Sequence, residues 1–373
     1  MDTKVSKTDS ILTGTRLSWV LAGGTSLAAI AADLFGEHPF DPALSLTLPL
    51  WICAGLSAAI GFWGVPILQQ LKTGQVIRED GPQAHLKKSG TPTMGGILFV
   101  PVGVVVALGW VFLSGAMSPL DRSAVGAVSA LTLAYGFIGW LDDWQVLRRK
   151  SNKGISPRTK LALQIGFAIM FCAWAKVNPD FDALTTVDLP GAWVLPLGAL
   201  FWLLAGFVLV AESNATNLTD GLDGLMGGTG SIAFLGLAAV VAPTYPGLAL
   251  FCACLSGACL GFLAHNRNRA RVFMGDTGSL ALGGALASVG ILSNALFSLF
   301  VISGLFFAET LSVIAQVSYY KATKNPEGVG KRLFKMAPLH HHFELSGWSE
   351  LRVVATFYAV TAVLAFVALG WHS

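Results

Sequence analysis

Glu212-Ser213-Asn214-Ala215-Thr216-Asn217-Leu218-Thr219-Asp220-Gly221-Leu222-Asp223-Gly224-Leu225 separates two apolar blocks, Trp193 to Ala211 before it and about Gly228 to Ala242 after it. The first block is long enough to cross a bilayer, which takes about 20 apolar residues. Polar side chains at such a junction either meet water at the membrane edge or serve something bound there. Asn214, Asn217, Asp220 and Asp223 recur every three residues, so on a helix they would line one ridge. Amides and carboxylates in that array suit a cation, a phosphate-bound cation or sugar hydroxyls. Gly221 and Gly224 would let a ligand or another backbone approach. A capped turn, with Asn, Thr and Asp bonding their own backbone, explains one or two such residues. It does not explain this density, and the stretch reads as a site.

The rest of the chain agrees that the setting is a membrane. Hydrophobic residues make up 54% of the 373, and charged residues only 12%, against roughly 25% in soluble domains. The apolar residues come in long blocks, not in the alternating ten-residue segments of a β-barrel. The expected fold is an all-α integral membrane protein, a polytopic bundle of about ten or eleven transmembrane helices with its active-site loops on the cytoplasmic side. The candidate spans are 17–34, 48–69, 94–115, 124–141, 160–176, 192–211, 228–243, 247–264, 278–293, 295–319 and 352–370. Only Ser293 and Asn294 divide 278–293 from 295–319. With eleven spans, all of the 24 Lys and Arg except Arg122 and Lys176 fall on one side, and the positive-inside rule makes that side cytoplasmic. Dropping span 17–34 would place the basic N-terminal segment outside.

No short apolar core leads to a clear cleavage site, so no cleavable signal is expected. Cys53, Cys172, Cys252, Cys254 and Cys259 all lie within apolar spans and read as small core residues, not as a disulfide framework. The cytoplasmic excess of cations would attract anionic lipid and phosphorylated substrates, and nothing points to nucleic acid.

The polar clusters all sit in cytoplasmic loops. Gly81 to Gly96 combines Lys87, Lys88, hydroxyls and glycines before a span, a ready anion site that also fits ordinary positive flanking. Asp142-Asp143 ends a span, ahead of Arg148-Arg149-Lys150. Ionisable groups at that depth are functional candidates, as a divalent-cation pair or as a base beside a ligand. Phe273-Met274-Gly275-Asp276 opens a span, where Asp276 taken alone reads as a helix cap. His340-His341-His342 lies in a basic loop. Neighbouring side chains do not share a helix face, so one or two histidines on a substrate is a better reading than a three-histidine metal site. Carboxylates, cations and glycine turns facing both water and lipid suit metal-assisted phosphoryl chemistry on a membrane-embedded acceptor. A secondary transporter is the alternative class, but its ionisable groups would lie near the midplane.

Thr91-Pro92-Thr93-Met94-Gly95-Gly96, Asp142-Asp143, Asn217 to Leu225, Phe273 to Asp276 and His340-His341-His342-Phe343-Glu344 occur in this order. In these motifs, from about residue 48 onward, the chain resembles the polyprenyl-phosphate N-acetylhexosamine-1-phosphate transferases. The Pro338 to Glu344 run favours the branch acting on muramoyl-pentapeptide over the GlcNAc-1-phosphate branch. The resemblance implies a membrane domain over 48–373, with 1–47 as an extension carrying an extra span, and Trp144 stands where the family has Tyr. It implies that UDP-N-acetylmuramoyl-pentapeptide gives its phospho-sugar to undecaprenyl phosphate at the inner membrane, yielding lipid I and UMP with magnesium as cofactor. Asp142, Asp143 and Asp276 would then carry the chemistry, and Asp276 with Asn217 would hold the metal. Lys88, Thr93, Asn214, Asn217, Asp220, Asp223, Asn266, Phe273, His340 and His341 would meet substrate. Membrane lipids are expected to surround the enzyme, with a homodimer as a candidate assembly.

The charge asymmetry predicts that Lys7 is cytoplasmic and Ser373 external. Cysteine labelling from either side of intact cells checks this. Both positions labelled from one side would remove span 17–34 or reveal another miscount.

Overall fold

The computed structural model describes residues 13–36, 41–71, 88, 90–149, 154–191 and 193–370. The stretches holding Lys4, Lys7, Lys72, Arg78, Gly81 to Lys87, Lys150 and Lys153 lie outside the described residues. The helices are α1 (Gly14–Phe35), α2 (Thr47–Gln70), α3 (Gly96–Leu113), α4 (Pro119–Arg149), α5 (Pro157–Val177), α6 (Leu200–Thr219) and α7 (Leu225–Val241). They continue as α8 (Pro246–Asn266), α9 (Gly275–Leu292), α10 (Leu296–Ile302), α11 (Gly304–Ala322), α12 (Leu339–Leu345) and α13 (Glu350–Gly370). One antiparallel hairpin, β1 (Thr186–Leu189) with β2 (Trp193–Pro196), pairs Val187 with Leu195.

The chain is an all-α polytopic membrane protein. Among the described residues seven helices are long and apolar enough to cross a bilayer, or eight if α10 and α11 form one span. Each of the other three predicted spans also contains a helix. α7 is only 17 residues long, while α6 ends, and α9 begins, in polar sequence.

Two predicted boundaries are corrected. Span 192–211 does not begin as helix: Trp193–Pro196 is a strand, and Leu197 N–H and Gly198 N–H both close onto Thr185 O at 2.9 Å before α6 starts. A short apolar run fits strand or helix equally, and local hydrogen bonding decides between them. Span 295–319 is broken at Ser303, where α10 and α11 bend by 70°.

α8 is the axis of the bundle, almost wholly buried, with α7 and α9 nearly as enclosed. A helix apolar on all sides belongs in such a centre. The outer helices turn apolar side chains outward, including Trp19, Phe62, Trp63, Ile169 and Phe366, a surface suited to lipid. α1 is tied to α2 by Asp33, which accepts from Leu46 N (2.7 Å), Thr47 N (3.2 Å) and Ser45 Oγ (2.7 Å). Between α1, α7 and α13 lies an apolar cavity of about 1490 Å³, lined among others by Leu21, Ala28, Leu235 and Phe366.

The packing that matters for the site is α4 on α9. At Gly139 the α4 backbone lies directly on the peptide linking Asp276 to Thr277, where a Cβ would overlap main-chain atoms. Close backbone approach through small residues is how membrane helices associate. Gly139→Val is expected to destabilise the purified protein by about 1–3 kcal/mol, the cost of overpacking, seen as a lower thermal midpoint. An unchanged midpoint would mean that α4 and α9 can separate without penalty.

Candidate active site

The first turn of α9 has backbone N–H groups without intrahelical partners. They are met from α4. Asp143 accepts from Thr277 N at 3.0 Å, Thr277 Oγ1 at 2.7 Å and Asp276 N at 3.3 Å, and is buried. A carboxylate there also suits the positive end of the helix. The cap expected of Asp276 is therefore supplied by Asp143, and Asp276 is left to face outward from the first turn.

Around Asp276 the distant motifs converge. Its Oδ1 accepts from Asn217 Nδ2 at 2.7 Å, and its Oδ2 pairs with Lys160 of α5. Asn217 Nδ2 also donates to Ser279 Oγ at 2.9 Å, so the amide nitrogen is committed to α9. Asp142, one residue from the cap, faces Asp276 and Lys160 and accepts from Ile155 N at 3.1 Å. Asp220 receives the Gly275 N–H. Burial, with the charges of Asp276 and Asp143 added, pushes its carboxyl up to about 8. The 91–96 motif lies alongside: Phe273 N donates to Pro92 O (2.8 Å), Gly95 N to Phe273 O and Gly96 N to Met274 O (both 2.9 Å). Met94 takes a φ of 70° to make this pairing, a conformation uncommon for a non-glycine residue. Thr93 is buried against Gly275 and Asp143.

The three-residue ridge expected over 214–223 does not form, because α6 ends at Thr219. Asp220 N and Gly221 N turn back onto Asn217 O and Thr219 O. Asn214 points along α6 to Gln164 Oε1 (3.2 Å) and Val210 O (2.8 Å), joining α5 to α6. Asp223 enters a second polar cluster. Lys88 Nζ donates to Asp223 Oδ1 (2.8 Å) and Glu350 Oε1 (2.6 Å), while Asp223 Oδ2 accepts from Ala270 N and Asn268 Nδ2. Burial alone would lower the Lys88 pKa, but Glu350 and Asp223 outweigh it and hold the ammonium above its ordinary value. Asn266 is buried, accepting from Gly224 N (3.1 Å) and donating to Val272 O (2.9 Å), so it clamps two loops together. Each histidine has its own partner: His340 has Glu309, His341 has Glu344, and His342 accepts from Lys335 N.

Sequence reasoning passed over Lys160, Glu309 and Glu350. Lys160 was one more flanking cation. Glu309 lies in an apolar helix, where a depth argument on lone ionisable residues would have flagged it.

Three carboxylates, Asp142, Asp143 and Asp276, share Lys160, and Asp220 lies beside Asp276 and Asp143. Among the described residues no three His, Cys, Asp or Glu groups are arranged to hold a metal unaided. Magnesium does not require that, since one or two carboxylates, waters and a substrate phosphate usually complete its shell. The excess negative charge and the oxygens of Asp276 and Asn217 fit such an ion. The arrangement can hold a cation against an anionic substrate at the membrane edge.

Asp143→Ala removes the α9 cap and is expected to cost about 1–2 kcal/mol of stability together with most of the activity. Asp276→Asn is expected to lose most of the activity with a smaller change in thermal midpoint. A normal midpoint for Asp143→Ala would refute the capping role.

Comparison with known proteins follows the same residues. Glycosyl transferase family 4 matches residues 125–294, which hold Asp142, Asn217, Asp220 and Asp276. Phospho-N-acetylmuramoyl-pentapeptide-transferase signature 1 matches 88–100. The phospho-N-acetylmuramoyl-pentapeptide-transferase of Nostoc punctiforme is 64% identical over 99% of this chain and 100% of its own length. Those of Rippkaea orientalis and Acaryochloris marina are 64% and 56% identical, over 88% and 96% of this chain and 87% and 95% of their own. The chain belongs to the phospho-N-acetylmuramoyl-pentapeptide-transferase family.

Proposed function

We propose that the chain transfers phospho-N-acetylmuramoyl-pentapeptide from its UDP-linked form to undecaprenyl phosphate, releasing UMP and leaving lipid I in the inner membrane. The observation that carries this reading is the gathering of Asp142, Asp220, Asp276, Asn217 and Lys160 where α4, α5, α6 and α9 meet. A lipid phosphate can reach such a place from the bilayer and a nucleotide-sugar from the water. The basic loops support a cytoplasmic setting for that face, by the positive-inside rule.

The acceptor needs little activation. A phosphate monoester has a second pKa of about 6 and is largely ionised near pH 7. The harder task is to hold two anions in line, and positioning with charge stabilisation carries most of phosphoryl transfer. Asp276 and Asn217 would hold magnesium, which when bound supplies positive charge to the diphosphate and the leaving phosphate. Lys160 restrains Asp276 and adds a cation beside it. Asp142, held by Ile155 N, is placed to orient the acceptor. Asp143 acts through the backbone, aiming Asp276 by capping its helix. Lys88 and Asp223, in their own cluster with Glu350, shape the 220–224 loop that would receive the nucleotide.

Purified protein given both substrates is expected to release UMP and a labelled lipid, and EDTA is expected to stop it. Asp276→Asn should lose roughly 10²–10³-fold in kcat, as when one charge-stabilising group is removed, and need more magnesium for half-maximal rate. Asp142→Asn should slow turnover with an unchanged magnesium midpoint. No labelled lipid from the wild type would sink the reading, and a phosphorylated enzyme trapped with UDP-sugar alone would replace direct attack with a covalent route.

A further inference from the structure

His340 is buried, and half of its ring is accounted for. Nδ1 lies 3.1 Å from Glu309 Oε2, and the His340 backbone N–H donates to Glu309 Oε1 at 3.2 Å. One residue thus engages both oxygens of a fully buried carboxylate. The other ring nitrogen, Nε2, is buried and has no hydrogen-bond partner among the described residues. It faces Gly221, where a Cβ would overlap the ring, 2.7 Å from Cε1. Gly221 follows Asp220, so this nitrogen lies against the loop that borders the carboxylate cluster.

Glu309 has apolar surroundings in sequence, between Phe306-Phe307-Ala308 and Leu311 on α11. A buried carboxylate costs several kcal/mol unless it is paired well, and here the pairing is to His340. The contact of Nδ1 with Glu309 Oε2, beside the backbone N–H on Oε1, holds the ring from one side. The ring then has one free position, Nε2, and a fixed orientation.

We propose that Glu309 is a positioning residue for substrate recognition: it sets the His340 ring so that Nε2 receives a hydrogen-bonding group of the nucleotide-sugar over the Asp220 to Gly224 loop. The inference rests on the transferase reading above. The bare Cα of Gly221 leaves the ring its place there.

A purely structural role would be to hold α12, whose His340 N–H also uses Glu309. A double-mutant cycle on the full-length enzyme separates the two, with kcat, KM for each substrate and thermal midpoint measured for Glu309→Gln, His340→Ala and the pair. Glu309→Gln keeps size and one acceptor but loses the charge. It is expected to lower kcat/KM for the UDP-sugar about 10- to 100-fold, the range found when the group behind a metal-bound histidine is removed, and to leave KM for the lipid phosphate unchanged. On the His340→Ala background it should add nothing, since residues acting through one contact are not additive. Should Glu309→Gln not accumulate, Glu309→Asp enters the same cycle, and its loss must likewise vanish on that background. Wild-type kinetics in Glu309→Gln, or losses that add in the double variant, overturn the proposal. Wild-type kinetics in His340→Ala would overturn it too, with the transferase reading intact, whereas failure of the wild type to form labelled lipid strikes that reading itself.

Discussion

The hydrogen bonds from the first turn of α9 to Asp143 are the constraint on which the site depends. They join two helices far apart in sequence end to side, and the bare Gly139 lets the same helices touch along their backbones. A buried carboxylate without partners would be costly, and here backbone and hydroxyl donors satisfy it. Once α4 and α9 are locked, Asp142 and Asp276 have no choice but to face each other. The rigid part of the site is therefore made by one aspartate so that its neighbours can remain available.

A second polar knot works in the same way on the loop after α6. Asp223 accepts from Lys88, Asn268 and Ala270 and donates its own N–H to Glu350. Gly224 is held from both sides, by Asn266 on its N–H and by the Tyr358 hydroxyl on its carbonyl. A short loop with so many ties keeps Asp220 beside α9, although Asp276 and Asp143 repel it. Polar groups that look alike in sequence thus divide between holding the chain and meeting a ligand. What divides them is the kind of donor each is given: Asp143 and Asp223 accept from backbone N–H groups, while the Asp276 oxygens meet the side chains of Asn217 and Lys160.

Composition and charge placement in the sequence were enough to determine a helical membrane bundle, because a bilayer core admits no unsatisfied backbone and so leaves little freedom in fold class. The Asp142-Asp143 pair was legible as a candidate, since ionisable groups at a membrane boundary need a cause, whereas Asp276 by itself read as a helix cap. Only the tertiary structure decided which carboxylate caps and which stays open, that α6 stops at Thr219, and that the 193–196 run is strand. It also decided that Lys160 pairs with Asp276 and that Glu309 stands behind His340. The carboxylate roles turn on hydrogen bonds between residues more than a hundred positions apart, as with Asp143 and Thr277, and the strand and the end of α6 on nearby backbone pairing that apolar pattern does not specify. Local periodicity carries no record of such partners, because the energy that selects them exists only after the helices have packed.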